Sequence, residues 1–382
     1  MKKVAIFLPL LFFISIISTH VTKVGAQELH QDLQGVWKAR VVNVISEETR
    51  TIAGTETTAT IQHIKAEIKE GDKRGEIITF ENDYIKLKAG DDFFLNYLIT
   101  INGDEIYSVR EVDRRMSLLF FALLFVGVII AFGGKQGVRS LVSLAFTFLS
   151  IIFILLPLLL KGYSPALVSS VVATIILAVV IFLTHGFNKE SLSAFVGTVS
   201  AVIISSILAI IAISATRLTG FASDESVYLN MYTYGELNFN GLLLGGIIIG
   251  ALGVLDDISI TQASVVRELY SANRELTSAQ VFKKSIRVGR EHVGALVNTL
   301  ALAYAGASLP LLLLMSMSEM PFLTLINQEM FATEIIRTIV GSIGLVLTVP
   351  ITTYIAVRLL KNAPPSNTDH GHSHGHSHGH IH

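Results

Sequence analysis

The stretch Gly241-Leu-Leu-Leu-Gly-Gly-Ile-Ile-Ile-Gly-Ala-Leu-Gly-Val-Leu-Asp-Asp-Ile-Ser-Ile260 decides how the rest of the chain is read. It is apolar over a length that crosses a bilayer, roughly 20 residues, yet it holds two adjacent carboxylates, Asp256 and Asp257. An Asp near the bilayer centre costs about 2.5–3.5 kcal/mol even on lenient insertion scales. A helix that only anchors has no use for two of them, so the pair is the first candidate for function. Adjacent helix positions point about 100° apart, so one acid can face a bundle interior while the other faces the cytoplasmic interface. The end of the apolar run places Asp256 about four residues from the cytoplasmic end, roughly 6 Å along the axis. Two readings stay open. A carboxylate there binds a proton or cation, or it is an interfacial acid that pairs with an arginine such as Arg290 or caps the next helix. Gly241, Gly245, Gly246, Gly250 and Gly253 line the same segment, and 241/245 and 246/250 are small-xxx-small pairs. Such spacing lets neighbouring backbones approach closely, and it also lets a helix bend and offer carbonyls to an ion.

Composition extends this reading to most of the chain. Of 382 residues, 51% are hydrophobic and 15% charged, with mean hydropathy +0.59, whereas soluble domains carry about 25% charged residues. The formal net charge of −1 points to no nucleic acid. The chain has no cysteine, which excludes disulfides, thiolate metal sites and cysteine nucleophiles. The expected fold is a polytopic α-helical membrane bundle of about seven spans behind a small N-terminal extracytoplasmic β-rich domain.

Residues 1–26 read as a secretory signal: Lys2 and Lys3, an apolar core Val4 to Ile17, and Val24-Gly25-Ala26 before Gln27. An uncleaved first helix is the alternative, and both place Gln27 outside the cytoplasm. In residues 27–113, β-branched content and alternation predict strands at 36–45, 57–68, 75–80, 93–101 and 105–112, with a hairpin turn at Asn102-Gly103. Five short strands suit a small barrel, with the OB-like form as a candidate. The domain shows no metal cluster or nucleophile–base set, and its expected role is a docking or gating cap.

The predicted spans are 116–133, 138–160, 164–184, 192–215, 241–260, 294–316 and 334–359, within a membrane domain of residues 114–361. With the β-domain outside, basic residues concentrate in the inner loops and at the C-terminal end, as the positive-inside rule requires. Arg114 and Arg115 fall on the other side of span one. The loop 261–293 reads as one or two amphipathic helices on the cytoplasmic surface, with Ser278 as an N-cap. Its Arg267, Arg274, Lys283, Lys284, Arg287 and Arg290 suit an anionic leaflet or a partner subunit. The sixth span carries Asn298, Thr299 and Tyr304 among small residues, and Pro310 removes a backbone hydrogen bond. These side chains serve as helix–helix glue or line a polar pathway with Asp256 and Asp257. Glu291 and His292, just before the span, are weaker candidates for the same site.

The tail 362–382 is expected to be disordered and cytoplasmic. In it His370, His372, His374, His376, His378, His380 and His382 alternate with other residues, a ladder able to bind Zn, Ni, Co or Cu. It resembles the His-rich segments of metal-handling proteins. No phosphate-binding G-x-x-x-x-G-K-[ST] loop and no H-E-x-x-H occurs, and no enzyme is expected.

The blocks Gly250-Ala-Leu-Gly-Val-Leu-Asp-Asp-Ile-Ser-Ile-Thr-Gln-Ala-Ser264 and Gly289-Arg-Glu-His-Val-Gly-Ala-Leu-Val-Asn-Thr-Leu-Ala-Leu-Ala-Tyr-Ala-Gly-Ala-Ser-Leu-Pro310 resemble the YibE/F-like family of bacterial multispan membrane proteins. The resemblance runs from about residue 30 to 360. It implies the fold and a place in the bacterial cytoplasmic membrane, and it transfers no substrate. The leading functional expectation is a transporter or permease moving a small solute or cation past Asp256 or Asp257. The other is a non-transporting scaffold or accessory subunit that engages partners through its outer domain and inner loop.

Overall fold

The computed structural model describes residues 33–51, 58–100 and 104–361. The predicted signal, the Asn102-Gly103 turn and the histidine tail lie outside the described residues. The chain divides into two units, the first ending at Leu124 and the second beginning at Phe125.

The first unit is an antiparallel sheet of β1 (Leu33–Thr51), β2 (Thr58–Ile68), β3 (Ile77–Asn82), β4 (Asp92–Ile99) and β5 (Glu105–Val112), in the order β3-β2-β1-β4-β5. The predicted strands are present, and β1 runs further than expected. Its Ser46-Glu-Glu-Thr-Arg-Thr51 end loses the apolar alternation but stays paired to Thr58–His63 of β2, because register shifts between Val41 and Asn43 and between Val44 and Ser46 carry the ladder on. The edge strands β3 and β5 approach each other, and the sheet curls into a half-barrel over Ala39, Ile64, Ile68, Phe93 and Leu95. Gln62, buried in this core, is satisfied at both ends. It donates to Leu87 O (3.0 Å) and accepts from Leu87 N (2.8 Å) and from Asn82 Nδ2 (3.2 Å). Trp37, the one tryptophan of the chain, stacks on Tyr97 with ring centroids 3.7 Å apart.

Asp113 closes the sheet after β5. Its side chain is 5% exposed and meets Lys38 at 3.0 Å and Arg115 at 2.8 Å. The Arg115 hydrogen bonds, with help from Lys38, hold its carboxyl well below the usual carboxylate range. A folded pKa depressed below the unfolded one stabilises the fold above about pH 4 and loses that contribution as the pH falls further. Asp113→Asn is therefore expected to lower the melting temperature of this unit at pH 7, with the gap to wild type closing as the solution is acidified below pH 4. Trp37 fluorescence reads this unit selectively. A gap unchanged from pH 7 to pH 3 would count against the assignment.

The second unit is helical. α1 (Arg115–Ser150) is followed by a π-helical turn, Ile151–Leu155, and by α2 (Leu156–Leu160). α1 is interrupted at Gly134 (φ 50°, ψ −129°), a backbone conformation that glycine adopts readily. A Cβ on Gly137 would overlap the Ile129 carbonyl, so the chain folds back there, between the two predicted spans. α3 (Pro165–His185), α4 (Lys189–Thr216), α6 (Phe239–Ala272), α7 (Ser278–Ala307) and α10 (Glu329–Leu360) form the packed bundle, with the short α5 (Asp224–Tyr232), α8 (Leu309–Met317) and α9 (Phe322–Ile326) between them. The core includes Leu177, Ile181, Ile247, Leu255 and Leu345. Asn188 caps α4 by accepting from Ser191 N, and Asn238 caps α6 by accepting from Gly241 N. Five helical segments are long and apolar enough to cross a bilayer, or six if α7 and α8, bent by 68° at the break between them, are one span.

One expectation needs correction. Residues 261–293 are not a separate surface element. Residues 261–272 continue α6, and 278–293 are the first half of α7. The apolar run ends at Ile260, but Gln262, Ala263 and Val266 extend the buried stripe of Leu255, Ile258 and Ser259 at helical spacing. The N-cap of α7 is Thr277 rather than Ser278, in a reciprocal capping box with Gln280.

Candidate functional site

Because α6 continues to Ala272, Asp256 lies sixteen residues before the helix's last residue, about 24 Å along the axis at 1.5 Å per residue. The helix outlasts its hydrophobic segment, so the end of the apolar run is not the end of the helix. Asp256 is half-buried and Asp257 is exposed, in line with the 100° between them. The Asp256 Oδ1 atom is shut off from solvent without a hydrogen-bond partner among the described residues. Gly245 stands eleven residues earlier, within about 20° on the helical wheel, and a Cβ there would overlap Ser169 Oγ of α3. Asp256 therefore sits on the face of α6 that packs against α3.

One turn further, at Ser259, a buried polar seam begins that sequence reading did not single out. Ser259 Oγ lies 3.2 Å from Thr352 Oγ1 of α10, and Thr353 Oγ1 donates to Gln262 Oε1 at 3.0 Å. Ser205 of α4 and Ser285 of α7 are also buried. The Gln262 Nε2, Ser205 Oγ and Ser285 Oγ atoms have no partner among the described residues. Glycines make this closeness possible: a Cβ on Gly344 would overlap Ser205, one on Gly197 would overlap Thr352, and one on Gly289 would stand 2.8 Å from Gln262 Nε2. The available signal was hydroxyl residues recurring inside apolar helices, as at Thr348, Thr352 and Thr353.

The other sequence candidates are dispersed. Asn298 and Thr299 are exposed on α7, and Thr299 Oγ1 donates to its own helix at Ala295 O (2.9 Å). Tyr304 reaches α6, where a Cβ on Gly250 would stand 2.9 Å from its Oη. Gly250 and Asp256 are about 240° apart around α6, so Tyr304 meets a different face from the acid. Of the glycines, Gly245 and Gly250 make close approaches, while Gly246 and Gly253 have open space where a Cβ would be. Glu291 and His292 are exposed, as are Lys283, Lys284, Arg287 and Arg290 on the same helix. No cluster of three His, Asp or Glu side chains able to hold a metal occurs among the described residues.

Several bilayer-length apolar helices packed around a polar seam, preceded in the chain by an antiparallel sheet, are the features of a multispan membrane protein. The chain belongs to the YibE/F-like family: the family model described as YibE/F-like protein matches residues 121–362, and that of the YibE/F family N-terminal domain matches residues 33–100. Comparison with curated proteins and with solved structures finds no match.

Proposed function

We propose that this protein is a permease of the bacterial cytoplasmic membrane in which Asp256 carries a proton or cation during solute movement. The observation behind this is the buried Asp256 oxygen, in the middle of a long helix and without a partner among the described residues. A charge buried without a counter-charge or hydrogen bond is costly, and a proton or cation joining the carboxyl removes that cost. The hydroxyl and amide groups of Ser259, Gln262, Thr352 and Thr353 continue the polar route one turn away. Asp257, Asn298, Thr299 and Tyr304 belong to this reading as groups met outside the packed core. The deciding experiment is flux in proteoliposomes carrying Asp256→Asn.

The reading includes seven crossings, with α1 counted twice because of the break at Gly134. It also includes an OB-like form for the sheet, supported by the order β3-β2-β1-β4-β5 with its edges drawn together. The β-domain lies outside and the C-terminal tail inside, with the exposed basic stripe of α7 against the anionic inner leaflet. The chain has no cysteine, so Pro365→Cys gives a single labelling site. It is expected to react with an impermeant maleimide in inverted vesicles and to stay unlabelled in intact cells. The opposite pattern would remove the orientation.

A further inference from the structure

The end of the bundle where α10 stops and α7 starts holds a cavity of about 610 Å³, within the usual range of small-molecule sites. Arg358 and Lys361 line it from α10 and its end, together with Tyr354 and Val357, and Ser278, Ala279 and Phe282 of α7 form the facing wall. Tyr270 of α6 ties the two walls together: its hydroxyl lies 3.4 Å from Ser278 Oγ and 3.3 Å from the Val357 carbonyl oxygen. No carboxylate lines this cavity among the described residues, so the charge it presents there is positive.

The two cations are placed to act together. Arg358 and Lys361 stand three residues apart, and Lys361 keeps helical dihedral angles (φ −49°, ψ −38°), so their side chains are neighbours on one face. The Arg358 guanidinium lies over Tyr354, 4.6 Å from the ring centroid. Stacking occupies the face of a guanidinium and leaves its N–H groups, which lie in its plane, for an anion. A phosphate accepts two parallel hydrogen bonds from such a fork. Both cations are exposed and so within reach of a ligand.

Depth separates a soluble anion from a lipid. Residues 338–357 of α10 carry no charged side chain, a length of about 30 Å as helix that matches the hydrocarbon thickness of a bilayer. Arg358 and Lys361 follow directly, at the level where headgroups begin. Tyr354 stands one turn inside them, at the position of interfacial aromatics. Phe282 and Val357 supply apolar wall. Paired cations at the end of an apolar wall match the form of a phospholipid, with its anionic group at the end of an acyl chain.

We infer that this cavity holds an anionic phospholipid, its phosphate on Arg358 and Lys361 and an acyl chain against Phe282 and Val357. The inference is independent of the permease reading and needs only the membrane setting that the helices give.

The test is native mass spectrometry of the full chain in detergent, titrated with dioleoyl phosphatidylglycerol and, separately, with dioleoyl phosphatidylcholine. The anionic lipid is expected to bind at least about tenfold tighter, the scale of one charge-assisted hydrogen bond. Arg358→Gln should weaken it by a similar factor, and Arg358→Lys should restore only part, since it lacks the guanidinium fork. Lys361→Gln should weaken it several-fold. Lys283→Gln with Lys284→Gln, at exposed positions of α7 outside the cavity, should change it far less. Equal loss in that pair and in Arg358→Gln would reduce the effect to diffuse surface charge and overturn the site. So would equal affinity for the two lipids, or indifference to Arg358→Gln. Glycerol 3-phosphate carries the phosphate without acyl chains and should leave the lipid bound. Displacement of the lipid at matched concentration would give the cavity to a free phosphate ester instead and overturn the lipid assignment.

Discussion

Proteoliposomes carrying Asp256→Asn are expected to lose gradient-driven flux by an order of magnitude or more, while the protein folds and purifies as wild type does. Asn has nearly the shape of Asp, so packing of α6 against α3 survives. What disappears is the group that can take up and release a proton or attract a cation. Because a lone carboxylate costs about 2.5–3.5 kcal/mol in hydrocarbon, its neutral replacement is expected to hold or raise the melting temperature. A loss of stability together with flux would instead mark Asp256 as structural. Asp257→Asn, at an exposed position, is the comparison. Its flux should fall less, and equal flux in wild type and both variants would remove the acids from the mechanism. The readout is a pH-sensitive dye trapped in the vesicles.

The second large effect is on the fold. Gly344→Val is expected to destabilise the bundle by about 3 kcal/mol or more, at or above the upper end of the usual range for overpacking. A Cβ at Gly344 already overlaps Ser205 Oγ of α4 and stands 3.7 Å from Leu255 Cδ2 of α6, and a β-branched side chain has little rotamer freedom in a helix. The milder Gly344→Ala should lose about 1–2 kcal/mol, and Ser205→Gly added to it should recover most of that loss, since it removes the overlapping atom. Gly246→Ala and Gly253→Ala have open space at the new carbon and should be neutral or slightly stabilising, by less than about 1 kcal/mol. Denaturant titration of the solubilised protein measures these five variants and Ser205→Gly alone. Additivity of the Gly344→Ala and Ser205→Gly effects would show that the overlap is not the cause.

These predictions differ in how far they could be read from the residues alone. Asp256 was visible because a carboxylate in an apolar run is conspicuous on any hydropathy scale. How far its helix runs beyond it was not, because hydropathy marks where side chains turn polar, and Gln262 is polar yet buried against Thr353. The seam of Ser205, Ser259, Gln262, Ser285, Thr352 and Thr353 was invisible for a related reason. Single hydroxyls in apolar helices more often bond to their own backbone, as Thr198 and Thr348 do. Glu334 and Arg337 stand three residues apart near the start of α10, and only the fold around α8 and the loop 220–227 gives them a cavity.

Composition and periodicity alone determined that this chain joins a strand-rich segment to a set of membrane-length helices, because apolar length and β-branched alternation are local properties. They determined which helix bears an unusual charge for the same reason. Tertiary structure decided which glycines carry helix contacts, which face of α6 Asp256 occupies, and that α6 and α7 form a long hairpin. Those outcomes depend on partners distant in sequence: Gly344 opposite Ser205, Gly245 opposite Ser169, Gln262 opposite Thr353. No local pattern encodes which residues will stand across a helix interface, so the site could be suspected from one helix but assembled only from five.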